Sequence, residues 1–144
     1  MTIERHQIPF WGRPAFLSEW ICSNPGPGIV FCSTRAGSEQ VGRLLQLHAG
    51  PAHSRSVGVY HAGLTHEERR SIEDGLHQGR TRWVSATSAF GMGMDYPQFE
   101  WVLLWEPPFS LLSLTQMLGR AGRTSRARAR CAILWDEPEI VRLG

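Results

Sequence analysis

Trp101-Val102-Leu103-Leu104-Trp105 is apolar at every position. Side chains alternate across a β-strand with a period of two, so a strand with one wet face shows a polar residue at every second place. This stretch shows none. Both of its faces are hydrophobic, which is the pattern of a strand covered on both sides, as in a parallel sheet flanked by helices. Four other short runs share its character: Ile29–Cys32, Val57–Tyr60, Arg82–Ala86 and Cys131–Trp135. All are rich in Val, Ile, Trp or Tyr and read as strands.

The segments between these runs read as helices. Pro14 suits the first turn of a helix running to about Ser23, which Pro25-Gly26-Pro27-Gly28 ends. Arg35–His48 carries Val41, Leu44, Leu45 and His48 at helical spacing, with Gly50-Pro51 after it. Thr65-His66-Glu67-Glu68 is a capping box, with Thr65 as N-cap, opening a helix to about Gln78. Strands alternating with helices predict right-handed β-α-β crossovers and an open, mostly parallel α/β sheet. No repeat and no long linker appears, so the chain reads as one domain, with a strand and helix over residues 1–28 leading into residues 29–144. In such sheets ligands bind beyond the carboxyl ends of the strands, and chemistry is to be sought there.

A chain of 144 residues is the size of one domain with a real core. No apolar stretch approaches the twenty residues of a membrane helix, and Met1-Thr2-Ile3-Glu4-Arg5-His6 lacks the apolar core of a signal peptide. The expected location is cytoplasmic, nucleoid-associated in a bacterium, with no membrane partner. The net charge of +2 is mild, but all fifteen basic residues are arginine. Arg120, Arg123, Arg126, Arg128 and Arg130 follow one another with no acidic residue among them. The Arg126–Arg130 part reads equally as a solvated loop or as a phosphate-facing patch. Cys22, Cys32 and Cys131 are odd in number and lack metal-ligand spacing, so buried free thiols are expected.

Gln116-Met117-Leu118-Gly119-Arg120-Ala121-Gly122-Arg123 is the most informative segment for function. On a helix, Leu111, Leu114, Leu118 and Ala121 fall in one stripe, and Gln116, Arg120 and Arg123 in another nearly opposite. Gly119 and Gly122 leave the outer surface without bulk. Arginine suits the clamping of a phosphoryl group, because its planar fork donates paired hydrogen bonds and keeps its charge. The plainer reading is an amphipathic helix with a solvated polar face.

Gln116 to Arg123 resembles the Q-x-x-G-R-x-G-R motif of superfamily 2 helicases. Ile29-Val30-Phe31-Cys32-Ser33-Thr34-Arg35 and Tyr60-His61-Ala62-Gly63-Leu64 resemble two strand ends of the RecQ-type DNA helicases. Val84–Asp95, containing Phe90-Gly91-Met92-Gly93, is similar to motif V of the same family rather than of DEAD-box enzymes. The resemblance runs from about Ile29 to Asp136, and four ordered motifs carry it. It implies the RecA-like, three-layer α/β/α second lobe of a helicase motor, a P-loop NTPase-type lobe without the P-loop itself. By that resemblance Arg123 is the arginine finger, Arg120 a γ-phosphate or interdomain contact, and Gln116 a positioning group. Gly93 and Asp95 would join Arg120 and Arg123 around the nucleotide. Ser33, Thr34, Arg35, His61, Thr87 and Ser88 would line the DNA backbone.

The residues admit plainer roles beside these. Ser33 and Thr34 precede a helix and suit an N-cap, Asp95 suits a turn, and His61 suits a structural place at a strand end with no catalytic part. Thr87 and Ser88 hydroxyls can hold a phosphate without reading sequence. Four of the six tryptophans fall in predicted strands, so they form no base-stacking ladder, and Trp11 and Trp20 have no assigned role.

A P-loop needs a lysine on the β- and γ-phosphates, and the chain has no lysine. It also lacks a D-E-x-H-type sequence for magnesium. The expectation is half a motor, inactive alone. ATP and Mg²⁺ would be held mainly by a first RecA-like lobe, in cis or as another chain, with single-stranded or forked DNA as partner and 3′-to-5′ movement. Two alternatives stand beside it: a non-catalytic helicase-like docking module, and a lobe of an RNA helicase.

Overall fold

The computed structural model of the chain describes residues 2–90, 99–107 and 130–137. Among these are β1 (Thr2–Gln7), α1 (Arg13–Ser23), β2 (Gly28–Phe31), α2 (Arg35–Ala49), β3 (Val57–Tyr60), α3 (His66–His77), β4 (Trp83–Ala86), β5 (Trp101–Leu104) and β6 (Arg130–Trp135). The strands form one six-stranded sheet in the order β1-β6-β5-β2-β4-β3, and every adjacent pair is parallel.

The doubly apolar character of β5 is met on both faces. Trp101, Leu103 and Trp105 join Leu17, Trp20 and Ile21 of α1 and Val41 and Leu45 of α2 in one core. Val102 and Leu104 join Leu76 of α3, Phe90 and Phe99 in the other. The two connections that step toward β3, through α1 and α2, cover one face; α3, on the connection that steps back from β3 to β4, covers the other. That arrangement is what a single crossover hand requires, and it makes three layers.

Local chemistry places the helix ends. Pro14 stands in the first turn of α1, where its missing N–H costs nothing. Thr34 caps α2, its hydroxyl accepting from Gly37 N at 2.9 Å. Thr65 and Glu68 form both hydrogen bonds of the capping box. The strand ends shift by one residue from expectation. Cys32, Arg82 and Trp105 fall just outside their strands, although Cys32 N still bonds Ala86 O and Trp105 N still bonds Phe31 O. Such one-residue differences reflect how a ladder frays.

One expectation is corrected. Cys32 and Cys131 are buried, but Cys22 is exposed. It lies beyond Leu17, Trp20 and Ile21, the residues by which α1 meets the core, so helical phase turns it to solvent. Burial, aided by the nearby charges of Glu106 and Glu4 respectively, pushes the Cys32 and Cys131 thiols up to about 12. They stay protonated and act as small apolar groups. Trp20, unassigned by sequence, packs edge-on to Trp101 with ring centroids 6.1 Å apart.

Candidate nucleic-acid and nucleotide interface

The carboxyl ends of the strands form a rim, and its centre is the crevice between β5 and β2. The chain leaves β2 toward β3 and leaves β5 toward β6, so the connections part in opposite directions there. Ligands of open α/β sheets bind at such switch points. The crevice is bridged by one carboxylate. Ser33 donates twice to Glu106, from its backbone N to Oε1 at 3.0 Å and from its hydroxyl to Oε2 at 2.6 Å. Glu106 thereby lies near the N-terminus of α2, where the helix dipole favours negative charge.

Three turns continue the rim along β2, β4 and β3. Ser33-Thr34-Arg35 follows β2, Thr87-Ser88 follows β4, and His61-Ala62-Gly63 follows β3. Arg35 opens α2 and is exposed; its Nη1 approaches the His61–Gly63 turn closely enough to lie 3.1 Å from where a Cβ on Gly63 would stand. Thr87 N donates to Tyr60 O at 3.1 Å, tying the β4 turn to β3, while Ser88 is exposed. Each of these six expected contacts therefore stands on one edge of the sheet.

Their availability differs. Both Ser33 donors are engaged by Glu106. The Thr34 oxygen accepts the capping bond, while its hydroxyl proton meets no acceptor among the described residues and can donate outward. His61 is only 8% exposed. Its Nδ1 accepts from Gly63 N at 3.0 Å, which leaves the proton on Nε2, facing Glu39 Oε1 at 3.2 Å. The ring thus shapes its turn, the structural place noted from sequence. Arg69 Nη2 secures the same turn by donating to Ala62 O at 2.8 Å.

Beneath the turn, Tyr60 donates to Glu73 Oε2 at 2.8 Å. Burial, then the hydrogen bond and the charge of Glu73, push its phenol up to about 12 from the usual 10.0. The folded chain therefore keeps a proton that the unfolded chain loses as pH rises through this window. The stabilisation is complete below pH 10 and is lost as pH approaches 12. In an alkaline titration of tyrosinate absorbance, one of the two tyrosines is expected to ionise late. Tyr60→Phe should abolish that late step, flatten the alkaline loss of stability and cost about 1 kcal/mol at neutral pH. A late step that survived in the variant would assign the shift wrongly.

The expected nucleotide-side residues, Gly93, Asp95, Gln116, Arg120 and Arg123, lie outside the described residues, as does the Arg126–Arg128 stretch. Arg130 opens β6 and is spoken for. It donates to Glu4 at 2.6 Å and to Asn24 Oδ1 at 3.1 Å, with its guanidinium 4.7 Å from the Trp20 ring. Neither the solvated loop nor the phosphate-facing patch describes this residue, which is a paired strand residue instead.

Two rim residues were missed by sequence reasoning. Glu106 is an acid directly after a strand end, a position that could have drawn notice. Arg13 is fully buried; it donates to Ile8 O at 2.9 Å and Trp105 O at 2.8 Å, joining the ends of β1 and β5. Nothing in the helix pattern announces it. Among the described residues no cluster of His, Cys, Asp and Glu could hold a metal ion, and no helix is long and apolar enough to cross a membrane.

Known proteins share this architecture and sequence. A DEAD box protein from Methanococcus jannaschii superposes with a TM-score of 0.80 at 19% identity, covering 97% of this chain and 37% of that one. At that identity the likeness is one of fold. The human ATP-dependent DNA helicase Q4 is 40% identical over 104 residues, 66% of this chain and 9% of its own length. The ATP-dependent DNA helicase RecQ of Bacillus subtilis is 31% identical over 130 residues, 90% of this chain and 21% of its own length. The chain thus spans about a tenth to a fifth of these relatives. The profile of the helicase conserved C-terminal domain matches residues 13–125. With that match over most of its length and a helicase-type parallel sheet, the chain belongs to the helicase conserved C-terminal domain family, in its RecQ-like branch.

Proposed function

We propose that this lobe works as the second half of an ATP-dependent DNA motor, closing on a first RecA-like lobe across its carboxyl rim. ATP is held between the lobes, with the phosphates and Mg²⁺ mainly on the first. Arg123 reaches the transferring phosphoryl group, Arg120 assists it, and Gln116, Gly93 and Asp95 complete the nucleotide side. DNA runs along Thr34, Arg35, Thr87 and Ser88, with Ser33 and His61 setting the shape of their turns. Movement is 3′-to-5′, as the likeness to RecQ-type enzymes implies.

The observation that carries the reading is the gathering of the β2, β4 and β3 turns on one edge, beside a switch-point crevice. The names of the relatives supply DNA and ATP as its ligands. Phosphate contacts release counterions, so binding of this kind is salt-dependent and indifferent to sequence.

Two measurements test it. The chain alone is expected to hydrolyse no ATP above background and to bind single-stranded DNA weakly, with affinity falling steeply as salt rises. Joined to a first lobe, it should show turnover that DNA stimulates. Equal affinity at low and high salt, or a strong preference for one sequence, would sink the DNA reading. Robust turnover by the pure chain would sink the half-motor reading.

A further inference from the structure

Trp11 is the most exposed large apolar side chain among the described residues, with 87% of its surface in solvent. It lies just ahead of the stretch that the family profile matches. It sits on a short 3-10 turn, Phe10–Gly12, between β1 and α1. Ile8 N bonds Trp135 O at 2.9 Å, prolonging the β1–β6 ladder to the foot of this turn. The turn therefore stands on the carboxyl rim, the edge that carries Thr34, Thr87 and Ser88.

The backbone under the ring is held firmly. Gly12 N closes the turn on Pro9 O at 2.9 Å. Arg13, wholly buried, donates to Ile8 O and Trp105 O on either side and lays its guanidinium 3.9 Å from the centre of the Phe10 ring. Burying a guanidinium is costly unless it is well bonded. Here its bonds fix an exposed turn to the middle of the sheet edge. Phe10 is covered on one face by that guanidinium; the indole of Trp11 stands clear. The result is a flat aromatic face held ready at small cost in conformational entropy.

We infer that Trp11 is a stacking platform for a base of single-stranded DNA lying along the rim. Every base has a π-face, so stacking on an indole tolerates any sequence, as the phosphate contacts do. Three strand steps separate β1 from β2 in the sheet, about 14 Å at the usual strand spacing, a span that a few nucleotides cover. A single projecting ring suits a base better than a protein, whose docking surface wants a contiguous apolar patch of several hundred Å². The inference rests on the DNA reading proposed above and adds a base contact to its phosphate contacts.

The test titrates the chain at low salt with oligothymidylate and with an abasic deoxyribose-phosphate strand of equal length. Trp11→Ala is expected to weaken oligothymidylate binding roughly 5- to 150-fold and to leave the abasic strand unaffected. Trp11→Phe should bind oligothymidylate nearly as the parent does but lose the tryptophan quenching that binding causes. It also controls for folding, since it keeps a ring on the turn. Parental affinity for oligothymidylate in Trp11→Ala overturns the stacking role and leaves the proposed function standing. Parental DNA affinity with weakened association to a first lobe makes Trp11 a docking contact instead, and overturns it equally. Failure of the unmodified chain to bind either probe overturns the DNA reading itself.

Discussion

Arg123→Ala, in the chain joined to a first RecA-like lobe, is expected to lower ATP turnover by up to ~10³ to 10⁵ while leaving ATP affinity close to its starting value. The proposed finger acts where negative charge shifts on the transferring phosphoryl group. Its interaction is therefore strongest in the transition state and weak in the bound ground state. Arg123→Lys should rescue poorly, because an ammonium on a flexible stem does not reproduce the planar fork. Arg120→Ala should also impair turnover, since the sequence pattern assigns it to the same stripe as Arg123, whereas Arg128→Ala should mainly weaken DNA binding. The measurement is turnover number and nucleotide affinity, taken separately for each variant. Near-normal turnover in Arg123→Ala together with lost turnover in Arg128→Ala would show that the finger has been misplaced.

The largest loss of stability is expected from Trp101→Ala, about 3–5 kcal/mol. Trp101 is 1% exposed, and its indole N–H donates to Asn24 O and Gly26 O, each at 3.1 Å. Removing it opens a cavity and strips those carbonyls of a donor. Domains of this size have about 5–15 kcal/mol in all, so one substitution consumes much of the total. The same ring explains Gly28. A Cβ there would stand 1.9 Å from a ring atom of Trp101, a distance no packing allows. Gly28→Ala is expected to cost about 1–3 kcal/mol through overpacking, and less once Trp101 has become Leu. In urea titrations the midpoint should fall at constant slope. The coupling between the two sites should reach about 0.5–3 kcal/mol. An equal cost of Gly28→Ala in both backgrounds would refute the close approach as its cause.

How far the sequence could be read depended on where each signal was stored. The inner strands were legible because burial on two faces forces both alternating positions of β5 to be apolar. The start of α3 was legible because a capping box is complete within four residues. β1 was not. Thr2-Ile3-Glu4-Arg5-His6-Gln7 shows little apolar pattern because β1 lies at the sheet edge. Its partner, β6, is distant in sequence: Arg130 clamps Glu4 across 126 residues. Burial opposes the charge on Glu4, but hydrogen bonds from Arg130 and His6 outweigh it and hold the carboxyl below its usual range.

The candidate site divides in the same way. The rim turns after β2, β3 and β4 were found from short local motifs, and all stand on one edge. Which donors remain free on that edge was hidden. The occupation of Ser33 depends on Glu106, which comes from a different strand, and the proton on His61 depends on Glu39 and Gly63. Such facts belong to tertiary pairing rather than to any window of sequence. The helix proposed for Gln116–Arg123 lies outside the described residues, so its arginines rest on their motif and on the experiment above.

The pairing of β1 with β6 also orders the assembly of the sheet. Contacts between residues far apart in the chain require large loops to close before they return any energy. β2, β4 and β3 join segments near one another and form the natural early centre, to which β5 adds. Among the described strands β1 has no neighbour until β6 arrives, because its ladder there is with that strand. Among the described strands of this lobe, β1 is therefore made before the others and pairs last. Until then α1 is the link that holds the opening segment to the nascent core.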